Sequence, residues 1–456
     1  MEKHPPATEL KRDLGVWAAA SLVVGTVIGS GIFLVPRTMI QRVGTVEMVF
    51  VVWIVGGALS LAGALSYAEL AAAMPEAGGE YVYLREAYGP LWGFLYSWTQ
   101  MWVAKSGSIA AFATGFFLYC ADFFPQVDTV FYSIPLPLGP NGGPLEFRYG
   151  QIGGIALILA IAWLNYFGAK LGGAVQTAIT ALKIALIAVI IFAGLALGPA
   201  HAPASSSSSA LTLTGFVAAL VAALWAYDGW NNVSMVASEV RRPQRNLPFA
   251  LIGGTALVIA IYVLANLAYF HVLTPGEVAG GTRVAADMMN RIWGVRGAHA
   301  VSIAAMISIF AALNGSLLSG ARVPYAAARE GYFFAPLARV NPEHHTPGIS
   351  IVVLSLWSCL LVLSGKYDDL FNLVIFASWI LYAMTAASVL VLRKKRPELH
   401  RPYRTLGYPI VPVLFIAGAA ILLLSTLVDR PRESLMGVGI ASLGLPFYFY
   451  WKSRKN

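Results

Sequence analysis

Charged residues are scarce in this sequence. Of its 456 residues, 12% are charged and 58% are hydrophobic. Soluble domains carry roughly 25% charged residues, so this composition excludes an ordinary soluble protein. Uncharged runs recur along the chain, and about 20 apolar residues in a helix span the ~30 Å hydrocarbon core of a bilayer. We therefore predict an all-α polytopic membrane protein.

Cysteine is almost absent as well. Cys120 and Cys359 are the only two, and no Cys-x-x-Cys pair occurs. This excludes a disulfide framework and gives no sign of a cysteine metal site, so we expect neither a metal nor a cofactor. Paired intramembrane carboxylates, His-Glu-x-x-His and Gly-x-Ser-x-Gly are also missing. We therefore assign no catalytic residues and do not expect an enzyme.

Hydropathy predicts twelve membrane spans. An even number of spans places both chain termini on the same side of the membrane. The predicted spans are residues 14–36, 47–73, 89–121, 149–168, 172–198, 211–237, 247–272, 298–321, 348–364, 369–392, 409–428 and 434–451.

The basic residues are distributed unequally between the two sides of this topology. Twenty lysines and arginines fall on the side of the termini and nine on the other, while Lys105 and Lys183 lie inside spans. Cytoplasmic loops carry the excess of basic residues, so both termini are predicted to be cytoplasmic. The net charge of +9 is thus explained by topology, and no nucleic-acid partner is expected.

The first span contains a weak point. Gly25, Gly29 and Gly31 crowd its second half, where each glycine weakens a helix by up to about 1 kcal/mol relative to alanine. Gly25 and Gly29 also form Gly-x-x-x-Gly, which is typical of close helix packing. A broken helix at membrane depth is tolerated only where its backbone lines a protein-enclosed cavity. Packing and substrate binding are the two interpretations of this stretch.

A second weak point lies at the corresponding place in the sixth span. Asp228 and Gly229 interrupt it, and a carboxylate at a helix centre costs about 2.5–3.5 kcal/mol unless it faces a cavity or a partner. Asp228 is the eighteenth residue of its span and Ser30 is the seventeenth of the first. Two interrupted helices, five spans apart and opposite in direction, point to the central site of a transporter built from inverted repeats. This favours binding for the first span too.

The backbone of such breaks suits an α-amino acid. Free N–H groups where the first span resumes, after Ser30 and Gly31, attract a carboxylate. Unpaired carbonyls where its first half ends, near Val27 and Ile28, attract an ammonium. Three carbonyls of the sixth span could complete the ammonium cage: those of Trp225, Ala226 and Asp228.

Several motifs recur in an order that resembles a known superfamily. They are Gly-Ser-Gly-Ile-Phe at 29–33, Pro-Glu-Ala-Gly-Gly-Glu-Tyr at 75–81, Ala-Tyr-Asp-Gly-Trp-Asn at 226–231, the run 239–248, and the segment 314–331. Together they resemble the amino acid–polyamine–organocation superfamily, and within it the L-type amino acid transporter branch with its bacterial homologues. The resemblance covers residues from about 14 to 403.

This resemblance implies a LeuT-like 5+5 inverted repeat with discontinuous first and sixth helices. The implied organisation is a cytoplasmic tail (1–13), a first repeat (14–198), an external linker (199–210), a second repeat (211–392), a basic cytoplasmic loop (393–408), two peripheral spans (409–451) and a tail (452–456). It also implies a cell-membrane (inner-membrane) transporter that exchanges neutral L-amino acids by alternating access. Animal relatives pair with a heavy-chain glycoprotein; for a bacterial homologue we expect none, and a monomer surrounded by lipid.

By motif position, Ser30 and Gly31 would take the substrate carboxylate, and Val27 and Trp225 would offer carbonyls to its amine. Trp225 is also placed as an aromatic gate. One departure concerns the pocket's charge, because animal members often have Gly-Gly where this chain has Asp228-Gly229. The candidate substrate-binding residues are Val27, Ile28, Gly29, Ser30, Gly31, Ile32, Trp225, Ala226, Tyr227, Asp228 and Asn231.

Two lysines lie inside predicted spans. Lys183 is about thirteen residues from either end of the fifth span, too deep to reach the interface. In the resembled family a lysine of this span stands where sodium-coupled relatives bind sodium, so we expect sodium-independent transport with Lys183 as a coupling residue. Lys105 is expected to pair with a carboxylate or, alternatively, to lie near the substrate path. Asn314 and Ser378 are weaker candidates.

Three functions remain open from the sequence. The first is sodium-independent exchange of neutral amino acids. The second is a proton-coupled amino acid symporter, since a buried lysine can lose its proton. The third is an amino-acid sensor on a transporter fold, although no appended cytoplasmic domain supports it.

Overall fold

The computed structural model describes residues 9–135, 143–199, 212–364, 367–429 and 431–455, and the predicted external linker lies largely outside them. Helices dominate the first half of the chain. They are α1 (Val16–Val27), α2 (Gly31–Val43), α3 (Val46–Ala73), α4 (Glu80–Tyr88), α5 (Pro90–Thr99), α6 (Lys105–Cys120), α7 (Tyr149–Tyr166) and α8 (Ala169–Leu197).

Helices dominate the described part of the second half as well. Its helices are α9 (Leu213–Ala226), α10 (Asn232–Met235), α11 (Pro243–Val272), α12 (Pro275–Gly280), α13 (Val284–Trp293), α14 (Val295–Gly320), α15 (Arg322–Arg329), α16 (Gly348–Leu363), α17 (Tyr367–Lys395), α18 (Ile410–Asp429), α19 (Pro431–Ser442) and α20 (Gly444–Lys455).

Each of the twelve predicted spans coincides with one helix or with an interrupted pair of helices. Among the described residues, seven helices are long and apolar enough to cross a membrane, and the bent pair α1–α2 makes an eighth. Two shorter apolar helices, α9 and α16, cover the sixth and ninth predicted spans. A polytopic membrane protein is therefore confirmed, while the count of twelve crossings stays a prediction.

Two connecting segments carry structure of their own. The loop 122–148 contains an antiparallel hairpin, formed by β1 (Val130–Ile134) and β2 (Leu145–Arg148), so the all-α prediction holds for the helices but not for this loop. In the segment 75–89, most of α4 is buried, including Glu80 and Tyr83. Its first residues pack against α10: Gly78 N–H donates to the Met235 carbonyl at 2.8 Å.

The segments that precede α1 and follow α10 are joined to each other. Leu14 N–H donates to the Glu239 carbonyl at 2.9 Å, and Arg241 N–H donates back to the Leu14 carbonyl at 2.8 Å. The Glu239 carboxylate accepts two hydrogen bonds from the Arg322 guanidinium, at 2.7 and 2.9 Å, and both side chains are fully buried. This junction joins the segment before α1 to the segment after α10.

Candidate functional site

The first span is broken where its glycines predict. Helix α1 ends at Val27, residues 28–30 are not helical, and α2 begins at Gly31 with a bend of 42° between the two axes. The helix then continues through Pro36 to Val43, farther than the predicted end of the span. The bend follows from three helix-weakening glycines in seven residues.

The sixth span is broken as predicted, and over a longer stretch than expected. Helix α9 ends at Ala226, residues 227–231 form turns, and only the four residues of α10 return to a helix. Gly229 has φ +106°, a conformation that side-chain-bearing residues rarely adopt. Gly229 therefore permits the chain to turn at this point.

The two breaks touch each other. The Thr26 hydroxyl lies 2.8 Å from the Gly229 carbonyl and 2.6 Å from the Leu22 carbonyl, so its single hydrogen is shared between them. A Cβ atom at Gly229 would meet the Thr26 backbone at 3.3 Å. Close approach of these two segments of the chain thus depends on glycine at position 229.

A small cavity lies between the breaks and α6. It encloses about 60 Å³, enough for a few water molecules. Both predicted stretches contribute to its wall, which confirms that the fold brings them together. The lining residues are Thr26, Val27, Gly29, Ser30, Gly31, Ser108, Ala111, Phe112, Trp225, Ala226 and Asp228.

One wall of this cavity presents the N-terminus of α2. The first N–H groups of a helix have no acceptor within that helix, and the Ser30 side chain does not cap those of α2. The Phe33 N–H donates to the Ser30 carbonyl at 3.1 Å, which leaves those of Gly31 and Ile32 for an anion. The dipole of α2 favours negative charge at the same place. The carboxylate of Asp228 lies in the cavity wall as well, and its Oδ1 accepts no hydrogen bond from the described residues.

The prediction of an unpaired carbonyl at Ile28 is wrong. Its oxygen accepts from the Lys183 ammonium at 2.7 Å and from the Ser308 hydroxyl at 2.8 Å. Lys183 is fully buried on α8 and also donates to the Gly25 carbonyl at 2.8 Å. A cation already belonging to the protein thus occupies the carbonyls at the end of α1.

The carbonyls of Val27 and Ala226 share a donor that the sequence analysis missed. The Tyr262 hydroxyl of α11 lies 2.8 Å from the Ala226 oxygen and 3.1 Å from that of Val27. A tyrosine in the middle of an apolar span was the available signal, because a buried hydroxyl needs an acceptor. Tyr262 therefore connects the ends of α1 and α9.

The three glycines of the first span have different surroundings. A Cβ atom at Gly25 would lie 2.0 Å from Gln176 Nε2 of α8, so Gly25 serves helix packing. At Gly31 it would meet the Ala226 Cβ and Cα at 3.0 and 3.1 Å, whereas at Gly29 the nearest contact is 3.5 Å away. Helix packing thus explains Gly25, whereas Gly29 and Gly31 form part of the cavity wall.

Lys105 follows five residues of π-helix, Gln100–Ala104, which re-aim the start of α6. Its ammonium donates to the side-chain oxygen of Asn232, an amide rather than the expected carboxylate. Asp228 and Glu80 are its acidic electrostatic neighbours, so it lies beside the cavity wall without lining it. The expected ion pair with a carboxylate is therefore not among the described salt bridges, and a role near the substrate path stays a prediction.

Other predicted residues lie outside the cavity wall. Asn231 donates to the Glu80 carboxyl, and the Tyr227 hydroxyl donates to the Trp53 carbonyl at 3.1 Å. Asn314 bridges Asn165 and Gln176, so it joins helices α7, α8 and α14. Ile28, Ile32 and Ser378 are buried but do not line the cavity.

Three lining residues come from α6, which the sequence analysis had not connected with the site. Ser108, Ala111 and Phe112 share one helical face because they are three and four positions apart. The signal available in the sequence was this spacing on the span that also carries Lys105. Only the packing of α6 beside α1 and α9 places these three residues next to the breaks.

Comparisons with known proteins identify the family of this chain. A family model described as amino acid permease matches residues 14–438. The serine/threonine exchanger SteT of Bacillus subtilis (strain 168) is 34% identical over 455 residues, which cover 99% of each chain. The b(0,+)-type amino acid transporter 1 of Rattus norvegicus is 33% identical over 452 residues, 98% of this chain and 89% of the relative. The large neutral amino acids transporter small subunit 2 of Mus musculus is 32% identical over 458 residues, 98% of this chain and 82% of the relative.

Proposed function

This chain belongs to the amino acid permease family, whose matched members are transporters and not enzymes, and on that premise we propose that it exchanges neutral L-amino acids across the cell membrane without sodium. The proposal covers three points that family membership alone leaves open. These are the charge class of the substrate, the independence from sodium, and exchange rather than one-way uptake.

The observation that carries the proposal is the position of Lys183. Its ammonium donates to the carbonyls of Gly25 and Ile28, and it is shielded from bulk solvent because its exposure is 0%. Carbonyl oxygens at the end of a half-helix are the groups with which discontinuous transporter helices bind a coupling cation. A protein ammonium that already satisfies them removes the need for sodium.

A zwitterion matches the remaining groups of the cavity. The N-terminus of α2, with the Ser30 hydroxyl beside it, suits a carboxylate. The Val27 carbonyl, whose described donor is the Tyr262 hydroxyl, retains a lone pair for an ammonium, since a carbonyl oxygen accepts two hydrogen bonds. The Trp225 carbonyl already accepts the N–H groups of Tyr227 and Asp228, so it would have to exchange one of them for the substrate. Lys105 neighbours Asp228 and offsets its charge, which favours a substrate of zero net charge.

Exchange requires the cavity to face each side in turn. We place the hinge points at the breaks 28–30 and 227–231, where unwound backbone absorbs rotation of the flanking half-helices. In the proposed 5+5 inverted repeat these breaks occupy equivalent positions. The junction of Leu14 with Glu239 and Arg241 must then separate whenever the cavity opens on that side.

The proposed membrane, topology and assembly follow from the bacterial exchanger that aligns end to end with this chain. We propose the inner membrane, with both termini in the cytoplasm, as the distribution of lysine and arginine predicts. Small amino acids are the diffusible partners and membrane lipids surround the helices. A monomer without a heavy-chain glycoprotein is the proposed assembly.

Counterflow in proteoliposomes tests this function. Radiolabelled serine is expected to accumulate in vesicles preloaded with unlabelled serine and to enter empty vesicles far more slowly. Equal uptake into empty vesicles under a proton gradient would instead identify a symporter. Binding without uptake under either condition would identify a sensor.

The sodium claim has its own test. Uptake into preloaded vesicles is expected to be the same in sodium and in choline buffers. An increase of severalfold with sodium would contradict the role given to Lys183. A competition panel with all twenty amino acids then defines the substrate range, and inhibition confined to cationic or anionic amino acids would contradict neutral selectivity.

A further inference from the structure

Glu80 differs from the other buried glutamates in the described part of the chain. Glu69, Glu80 and Glu239 are each at most 2% exposed. Glu69 accepts two hydrogen bonds from Arg393, and Glu239 accepts two from Arg322. The described ion pairs within 4 Å include no cation at Glu80, whose carboxyl contacts an amide, hydroxyls and its own backbone N–H. A buried carboxylate without an ion partner is costly, so Glu80 needs another source of neutralisation.

The hydrogen bonds around Glu80 indicate that source. Ser234 has one hydroxyl hydrogen, and its oxygen lies 2.6 Å from the Asn231 carbonyl, which can only accept. The same oxygen lies 3.3 Å from Glu80 Oε2. If the hydrogen of Ser234 goes to the nearer carbonyl, the contact with Glu80 is a hydrogen bond only when Glu80 supplies the hydrogen. A protonated carboxyl does so, while its other oxygen accepts from the Asn231 amide.

Titratable groups face Glu80 from every neighbouring element. The cation among them, Lys105 of α6, gives its described hydrogen bond to Asn232 and also neighbours Asp228. One ammonium is therefore shared by two carboxyl groups. The remaining groups are tyrosines: Tyr67 of α3, Tyr83 of α4, Tyr96 of α5 and Tyr382 of α17.

The electrostatics of Glu80 also favour a protonated carboxyl, as do its hydrogen bonds with Ser234 and Asn231. Burial raises the pKa of the Glu80 carboxyl, and it outweighs the donors from its own backbone and from Asn231, which act in the opposite direction. Lys105 also favours the charged form, but it contributes less than these. The protonated form consequently persists to higher pH than in an exposed glutamate.

We propose that Glu80 is a proton-binding site that holds a proton at neutral pH and donates it to Ser234, joining α4 to α10. Asn231 and Ser234 belong to the second break and its short helix, so movement of this segment removes the partners of the proton. Exchange therefore requires the protonated form. This last step rests on the proposed function, whereas the presence of the proton does not.

Infrared difference spectroscopy tests the proton without any transport. The carbonyl stretch of a protonated carboxylic acid is expected in the purified wild-type protein at neutral pH and is expected to disappear in Glu80→Gln. Glu76→Gln is the control, because that carboxyl lies in the same connecting segment but is exposed and neighbours Arg85, and it should leave the band unchanged. Absence of a band that depends on Glu80 would overturn the proposal, even for a protein that transports normally.

Exchange at different pH values tests the functional step. Wild-type exchange is expected to fall at alkaline pH as the Glu80 carboxyl loses its proton. Glu80→Gln resembles the protonated acid in shape and charge, so it is expected to retain exchange and to lose that alkaline decline. A folded Glu80→Gln protein, verified by size-exclusion chromatography, that no longer exchanges amino acids would show that the neutral form is not the working one.

Discussion

Lys183 and Ile28 are joined by a hydrogen bond of 2.7 Å that runs from the middle of α8 to the break between α1 and α2. The ammonium also donates to the Gly25 carbonyl one turn earlier, so a single side chain satisfies two carbonyls at the end of the half-helix. Neither partner has access to water, since both residues are 0% exposed. The charge of Lys183 therefore acts directly on the segment that borders the cavity.

Replacing Lys183 by methionine should abolish exchange. Methionine keeps an unbranched apolar chain but leaves two buried carbonyls without their donor, at a cost of about 1–3 kcal/mol each. We expect a loss of at least about tenfold in the counterflow rate, which 1.4 kcal/mol already produces. Lys170→Met is the control, because Lys170 is exposed at the start of the same helix. Equal counterflow rates for Lys183→Met and wild type would show that Lys183 has a purely structural role.

Gly31→Val should remove substrate binding while the protein still inserts and folds. Its Cβ atom would meet the backbone and side chain of Ala226 at 3.0–3.1 Å, and the two additional methyl groups enter the cavity. Gly29→Ala is the informative comparison, since its Cβ has 3.5 Å to the nearest atom and should largely preserve binding. Scintillation proximity binding on purified protein measures both variants. Normal affinity in Gly31→Val would refute the carboxylate site.

Tyr262→Phe should weaken substrate affinity. The change removes one oxygen and leaves the carbonyls of Val27 and Ala226 without the donor that connects them. Loss of that bond costs about 1 kcal/mol, or roughly a fivefold weaker affinity if the joined breaks form the binding conformation. Tyr269→Phe is the matched control, two turns farther along α11. An affinity change of the same size in both variants would point to a general effect of the helix.

The Glu239–Arg322 pair should behave non-additively. Removing one partner of a buried ion pair costs about 3–5 kcal/mol because the other charge stays buried, whereas replacing both with apolar residues is far milder. Glu239→Leu should therefore lower the thermal unfolding midpoint in detergent more than the double variant Glu239→Leu, Arg322→Met. A double variant at least as unstable as the single one would show that the pair itself contributes to stability.

The sequence alone identified the class of protein and the two breaks. Scarce charge and long apolar runs predict membrane helices because a helix of about 20 apolar residues spans the hydrocarbon core and satisfies its own backbone there. Glycines between 25 and 31, and Asp228 beside Gly229, mark helix interruption through local conformational preference. The depth of Lys183 likewise follows from counting residues along one span.

Tertiary packing decided which groups meet. The reach of Lys183 to the Gly25 and Ile28 carbonyls depends on how α8 crosses α1, and hydropathy carries no information about crossing positions. The same holds for Tyr262, for Phe112 in the cavity wall, and for the separate environments of the three glycines. The sequence did not identify Glu80 as a candidate, because a carboxyl in a short helix is ordinarily exposed to solvent. Only the packing of α4 against α10 buries it.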